Sequence, residues 1–130
     1  MLCSEILTSA LKLLGEVGDA EDNPDYTERA PYIIAAFAGE AFEVDAKYRM
    51  AHGLEAIEPV DHVYVDLDED FPLSDRLAPT CVFYLASILI ADENPELSEK
   101  YYDRYCDSIS DISASLPYVS ESIKDVYPNV

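Results

Sequence analysis

The stretch LAPTCVFYLASILIA at residues 77–91 decides the fold, because a helix formed from it has almost no polar face. Ser74 precedes the stretch and suits the start of a helix. The stretch is too short, and too interrupted by Pro79 and Thr80, to cross a bilayer, which takes about 20 apolar residues. It therefore predicts a central core helix that its neighbours bury on nearly every side.

The helix that follows is predicted to be amphipathic. Asn94-Pro95 joins a residue that caps helix N-termini to a proline suited to the first helical position, and Pro117 is expected to end the helix. Charged side chains cover one face. The opposite, apolar stripe consists of Leu97, Tyr101, Tyr105, Ile109 and Ile112.

Two more helices are predicted upstream. The first has Ser4 as its N-cap and stops at Gly15, with apolar residues at three- and four-residue intervals between them. The second begins near Asn23-Pro24, and Pro31 is expected to kink its first turns. Its apolar seam consists of Ile34, Phe37, Ala41, Val44 and Tyr48.

Gly39 lies inside this second helix. Glycine costs roughly 0.5–1 kcal/mol there relative to alanine. One interpretation is that another stretch of backbone approaches the helix closely at this point. The other is that the glycine is a tolerated defect.

Residues 51–72 break the helical period and form a long connection. Val63, Val65 and Leu67 alternate in it with Tyr64, Asp66 and Asp68, which predicts a short extended segment. A long loop of this kind often carries an interaction surface.

Together these patterns predict an all-α fold of one domain. It is a small bundle of about four helices around the central apolar helix, with a long irregular or partly extended loop between the second and third helices. The domain is expected to span residues 1–117. Residues 118–130 are expected to form a C-terminal arm, with a last helical turn as the alternative.

The chain is strongly acidic: its 27 Asp and Glu residues against 8 Lys and Arg residues give a net charge of −19. This charge disfavours binding to nucleic-acid phosphates and to anionic membranes. It is compatible with a channel lumen, a basic protein partner or a surface that mimics DNA. The alternative is that the acidity serves only solubility.

Cysteine usage and the first residues indicate an intracellular protein. Cys3, Cys81 and Cys106 are an odd number without C-x-x-C spacing, so we expect buried thiols. Residues 1–5 lack the basic region of a signal peptide, which predicts cytoplasmic synthesis. The ten tyrosines, in a chain without tryptophan, suit either a docking interface or half-buried cover for the core.

The motifs for catalysis and metal binding are incomplete. Asp66, Asp68 and Asp70 have the spacing that opens a calcium loop, but Phe71 and Leu77 stand where an EF-hand needs glycine and glutamate. A solvated acidic loop is therefore favoured over a metal site. The two histidines lack zinc-like spacing, and no carboxylate pair stands out as an acid and base. The sequence predicts neither an enzyme nor a cofactor.

Five segments of the chain carry a family resemblance. They are ILTSALKLLG at residues 6–15, ERAP at 28–31 leading into the helix that bears Glu40, FPLSD at 71–75, YLA at 84–86 and YYDRY at 101–105. In this order they resemble the phage head-tail connector, or adaptor, proteins, which are small helical subunits encoded beside capsid genes in tailed phages and prophages. The resemblance covers most of residues 4–112.

The resemblance implies a virion subunit that joins a ring on the portal, extends the DNA channel and offers a platform to the next neck or tail protein. It implies no cofactor and no membrane, and it places the protein in the host cytoplasm during assembly. Carboxylates that line a channel would repel passing DNA without binding it.

The candidate partner contacts lie in the acidic loop and the C-terminal arm, and they match no family motif residue by residue. They are Asp61, Asp66, Asp68, Asp70, Tyr118 and Tyr127. The main alternative function is an acidic DNA mimic or inhibitor that binds a basic nucleic-acid-binding protein. Its carboxylates would have to form two rows with the spacing of a duplex.

Overall fold

The computed structural model describes residues 1–15 and 23–117. Four α-helices form in these residues: α1 (Cys3–Leu13), α2 (Pro24–Ala51), α3 (Ala78–Leu89) and α4 (Pro95–Ser115). Within these two ranges no β-strand forms, and one isolated antiparallel bridge joins Leu2 to Asp70. The predicted all-α bundle is confirmed.

Helix α3 is the centre of the bundle, because it packs against α1, α2 and α4. Its side chains are buried on most sides, while Phe83 and Tyr84 are half-buried. The helix begins at Ala78, four residues after Ser74, because Asp75–Leu77 first form a 3₁₀ turn. The predicted central apolar helix is therefore present with a later start.

Helix α4 lies along α3 as an amphipathic cover. The Ser98 hydroxyl donates to the Ser87 carbonyl at 2.7 Å, and the Thr80 and Ser108 hydroxyls are 2.6 Å apart. Since residue numbers rise in opposite directions along these contacts, the two helices are antiparallel. The predicted stripe faces the core, with Ile112 fully buried and Tyr101 nearly so. The helix ends at Ser115, two residues before Pro117.

Helix α1 begins at Cys3, so the prediction of Ser4 as N-cap is wrong. The backbone N–H groups of Cys3 and Ser4 donate to the carbonyls of Glu69 and Leu67, each at 2.9 Å. The long loop thus caps the helix with its own backbone, which replaces a capping side chain. The end is as expected, since Gly15 adopts a φ of 76° just beyond the last helical residue.

Helix α2 continues through Pro31, and the long loop packs along it. The Val65 N–H donates to the Pro31 carbonyl at 3.3 Å. A β-carbon placed on Gly39 would lie 3.6 Å from the Val60 carbonyl oxygen, which is an ordinary contact distance. A neighbouring backbone therefore does approach Gly39, although alanine would also fit there.

The loop that joins α2 to the 3₁₀ turn is long and irregular, as predicted, but its expected alternation of buried residues is only partly present. Val65 is buried and Leu67 half-buried, whereas Val63 is 79 % exposed. In the part of the chain that the structure describes, no strand pairs with this segment to hold its residues in a two-residue period. Instead, backbone hydrogen bonds attach the loop to α1 and α2 at separate points.

Candidate functional site

The acidic loop is displayed on the surface beside the start of α1. Asp61, Asp66, Asp68 and Asp70 are all exposed. Buried Val65 and Phe71 anchor the stretch on either side of its most acidic part. Because the loop's carbonyls are turned toward the N–H groups of α1, the backbone is fixed while the carboxylates stay in solvent. The structure thus brings three of these four predicted contact residues into one short turn.

One carboxylate of this turn is used within the loop. Asp66 Oδ1 accepts a hydrogen bond from the Asp68 N–H at 3.0 Å, and the Asp66 carbonyl accepts one from the Glu69 N–H at 3.0 Å. Such a turn is stabilised by the loop's own groups. In residues 1–15 and 23–117, no group of three or more His, Cys, Asp or Glu side chains is placed to hold a metal ion.

The other predicted contact residues, Tyr118 and Tyr127, lie outside the described residues, as does the rest of the expected C-terminal arm. The two histidines are exposed. The Nδ1 atom of His52 lies 2.9 Å from the Tyr48 carbonyl, and the His52 ring stacks on that of Tyr48 with centroids 4.2 Å apart.

A buried ion pair fixes both ends of the long loop. Asp45 is fully buried and accepts from Arg49 Nε at 2.8 Å through one oxygen. Its other oxygen accepts from the Ser74 N–H at 2.9 Å, where the loop ends. Arg49 in turn donates to the Glu55 carbonyl at 3.0 Å, where the loop begins. We call these contacts the loop clasp.

The loop clasp was not predicted, although the sequence contains a partial signal for it. Asp45 and Arg49 are four residues apart on α2, the spacing of a helical ion pair. Asp45 also lies four residues after Ala41 of the apolar seam, a spacing that indicates a charge on the face turned toward the core. Nothing in the sequence indicates that the Ser74 N–H also bonds to Asp45.

An open, mostly apolar groove of about 560 Å³ lies between α1 and α3. Leu13 and Met1, two of its lining residues, are 39 % and 49 % exposed. Phe83 lines it from α3. Because the Phe71 N–H donates to the Met1 carbonyl at 2.7 Å, one end of the groove adjoins the acidic loop.

A second surface is formed by tyrosines of α3 and α4, and we call it the tyrosine platform. The rings of Tyr84 and Tyr105 meet edge to face with centroids 5.0 Å apart, and Tyr102 lies 5.6 Å from Tyr105. Buried Phe37 lies beneath, 5.6 Å from Tyr84 and 6.1 Å from Tyr105. Glu40, three residues after Phe37 on α2, is exposed, and its charge acts on Tyr84 and Tyr105.

Two phenols of the platform, those of Tyr84 and Tyr105, have a raised pKa. Burial is the main cause for Tyr84, whose pKa rises to about 12, and the negative charge of Glu40 adds to it. Burial and then Glu40 also raise the pKa of Tyr105.

Burial raises the pKa of Cys3 to about 11, with a contribution from Glu69, and raises that of Cys81 well above its usual value.

These shifts predict a loss of stability in alkali. The folded protein retains phenol and thiol protons that the unfolded chain releases once pH exceeds about 9 for cysteine and about 10 for tyrosine. The contribution of these groups to the free energy of unfolding is therefore fully present below about pH 9. It falls as pH rises toward their folded pKa values of about 11 and 12.

The measurement is the urea midpoint between neutral and alkaline pH under reducing conditions, with phenolate absorbance followed in parallel. We expect the midpoint to decline above about pH 9 and some phenols to ionise late. A midpoint that stays constant through this range would contradict the expectation.

The comparisons with known proteins found no matching protein-family model, no matching curated protein and no matching solved structure. None of the helices in the described parts of the chain combines the length and apolar character needed to cross a membrane. The fold and surfaces define a small all-α protein with a displayed acidic loop, an apolar groove and a tyrosine platform.

Proposed function

We propose that this chain is a structural subunit of the neck of a tailed phage or prophage, which joins a ring on the portal, connects head to tail and extends the DNA channel. Its partners would be portal and neck or tail proteins, with the virion as its final location and the host cytoplasm as its place of assembly. It would perform no catalysis and carry no cofactor.

The observation that carries this proposal is that three of the five segments that resemble the connector proteins meet around Phe37. Phe71 of the FPLSD segment stacks on Phe37 with centroids 6.2 Å apart. Tyr84 of the YLA segment and Tyr105 of the YYDRY segment contact the same ring. Segments separated by up to 68 residues are thus held around one aromatic side chain. The resemblance therefore involves one connected part of the fold, which supports a shared architecture.

The surfaces support an assembly role. The groove between α1 and α3 leaves the apolar side chains of Met1 and Leu13 partly exposed, so it offers apolar surface to a partner. The groove between α1 and α3 lies on one side of the molecule, so a second copy that inserts a different surface there would make a head-to-tail contact. Contacts of this kind close into rings when the rotation between subunits is suitable.

The acidic loop gives the proposed ring a way to pass DNA. Backbone hydrogen bonds hold the loop that carries these exposed carboxylates, and none of the ion pairs found in residues 1–15 and 23–117 involves them. If the loops of successive subunits face the lumen, their negative charge repels the phosphates and keeps the duplex from binding to the wall. DNA would then pass nearby without specific contacts.

The test is the molar mass in solution by light scattering across a concentration series, with electron microscopy of large species. We expect a closed ring of about a dozen subunits, in keeping with cyclic symmetry. A monomer at every concentration would contradict spontaneous ring assembly and favour the acidic inhibitor as the function.

A substitution in the groove gives a sharper prediction. Leu13→Glu places a charge against the apolar wall, so we expect it to abolish large assemblies while the fold is retained. Leu54→Glu is the matched control, because Leu54 is 47 % exposed on a different surface near the end of α2. Both variants are compared by light scattering and circular dichroism. Equal effects of the two substitutions on assembly would exclude the groove as the contact.

A further inference from the structure

The tyrosine platform groups three aromatic rings, and the Glu40 carboxylate lies close enough for its charge to act on two of them. Tyr102 is 50 % exposed, and Tyr84 and Tyr105 are half-buried, so each contributes ring surface. Phe37 supports the two inner rings from below. The platform is therefore anchored in the core and does not depend on a mobile side chain for its shape.

Within the described residues, the Glu40 carboxylate at the platform forms no ion pair with a basic side chain. Its charge nevertheless acts on the platform, because it contributes to the raised pKa values of Tyr84 and Tyr105. An unpaired carboxylate beside the electron-rich faces of aromatic rings makes the local surface attractive to a cation.

We propose that the tyrosine platform, with Glu40 beside it, is a docking surface for an arginine side chain of a basic partner protein. A guanidinium stacks on aromatic rings and forms paired hydrogen bonds with a carboxylate, whereas an ammonium group acts as a point charge. One arginine can therefore stack on the tyrosine rings and form hydrogen bonds with the Glu40 carboxylate at the same time.

Charge favours a different protein over a second copy as the source of this arginine. The chain carries a net charge of −19 and only 8 Lys and Arg residues, so a basic protein offers more exposed arginines than a second copy does. Two of its arginines are also engaged already, with Arg29 bonded to Asp25 and Arg49 to Asp45. A basic partner is attracted by the same charge, and the platform is expected to bind its arginine whichever assembly the chain joins.

The experiment is an NMR titration of the full chain with the capped tripeptide acetyl-Gly-Arg-Gly-amide, with tyrosine ring and backbone resonances as readouts. Matched peptides carry lysine or citrulline, which has the shape of arginine without its charge. We expect saturable shifts at Tyr84, Tyr102 and Tyr105 with the arginine peptide, weaker shifts with lysine and none with citrulline.

Two variants distinguish binding of the peptide at the platform from its attraction by the overall negative charge of the protein. Glu40→Gln and Glu43→Gln each remove one exposed carboxylate from α2, and only Glu40 acts on the platform. We expect Glu40→Gln to weaken binding about threefold to tenfold and Glu43→Gln to change it less than about twofold. Both variants should keep the fold, since neither side chain is buried.

Three outcomes would overturn the proposal. They are equal weakening by both variants, shifts centred on the acidic loop at residues 61–70, or no saturable shift at the platform. None of them bears on ring formation, which light scattering tests separately. If light scattering shows a ring and the platform does not bind the arginine peptide, the proposed neck function stands and only the proposed arginine site is rejected.

Discussion

Replacing Asp45 with alanine is expected to lower the free energy of unfolding by about 3–5 kcal/mol, because it removes the central member of the loop clasp. Arg49, whose side chain is only 17 % exposed, would lose its carboxylate partner. The Ser74 N–H would lose its acceptor in a buried position. Small domains have a net stability of about 5–15 kcal/mol, so this loss is a large part of the total.

The matched control is Asp25→Ala on the same helix. Asp25 and Arg29 have the same four-residue separation, but their nitrogen-to-oxygen distance is 3.4 Å and the Asp25 side chain is 73 % exposed. Exposed pairs contribute roughly 0–1 kcal/mol, so we expect little change. Urea unfolding of both variants measures the difference. If Asp45→Ala costs no more than Asp25→Ala, the clasp does not hold the loop.

A third variant, Asp45→Asn, separates charge from hydrogen bonding. The amide oxygen still accepts from the Ser74 N–H, while the charge opposite Arg49 is lost. We expect a loss smaller than that of the alanine variant. An identical loss would show that the ion pair provides the whole effect and that the bond to Ser74 contributes nothing.

The four helices could be predicted because their signals are local. The apolar stretch at residues 77–91 and the stripe of α4 each lie within one helix, so spacing alone shows which face is buried. The Asn94 cap is also local, since its side chain accepts from the Leu97 N–H three residues away. In such cases the sequence already contains both partners of the interaction.

The errors concern contacts between distant segments. Ser4 was predicted as a cap because its side chain is suitable, but carbonyls from Leu67 and Glu69 take that role. Val63 was expected to share one side of a strand with Val65, but none of the described residues forms a neighbouring strand that would impose the period. The local sequence pattern of a helix does not show which segment, more than 60 residues away, packs against it.

The residues of the candidate site were also predicted only in part. The exposure of Asp61, Asp66, Asp68 and Asp70 follows from their charge. The tyrosine platform was missed as a surface, although Glu40 and the tyrosines were noted separately as parts of family-like segments. Tyrosines on α3 and α4 and a glutamate on α2 become neighbours only when three helices pack.

Replacing Phe37 with alanine is expected to lower the free energy of unfolding by about 3–5 kcal/mol, the usual loss for a buried phenylalanine. Phe37 is fully buried and contacts the rings of Phe71, Tyr84 and Tyr105. These rings come from the long loop, α3 and α4, so the cavity would loosen three parts of the fold at once. The surrounding residues belong to different elements, which limits how far they can close the space.

The control for Phe37→Ala is Tyr32→Ala, which removes another aromatic ring from the same helix. Tyr32 is 55 % exposed and contacts Tyr64 edge to face at 5.2 Å, so we expect a loss of about 1 kcal/mol or less. Urea unfolding gives both values, and the raised pKa of Tyr84 gives a second readout. Because burial is its main cause, a cavity that admits water should lower this pKa toward its ordinary value. If Phe37→Ala left both stability and the Tyr84 pKa unchanged, the aromatic contacts would not be what joins the loop to the helices.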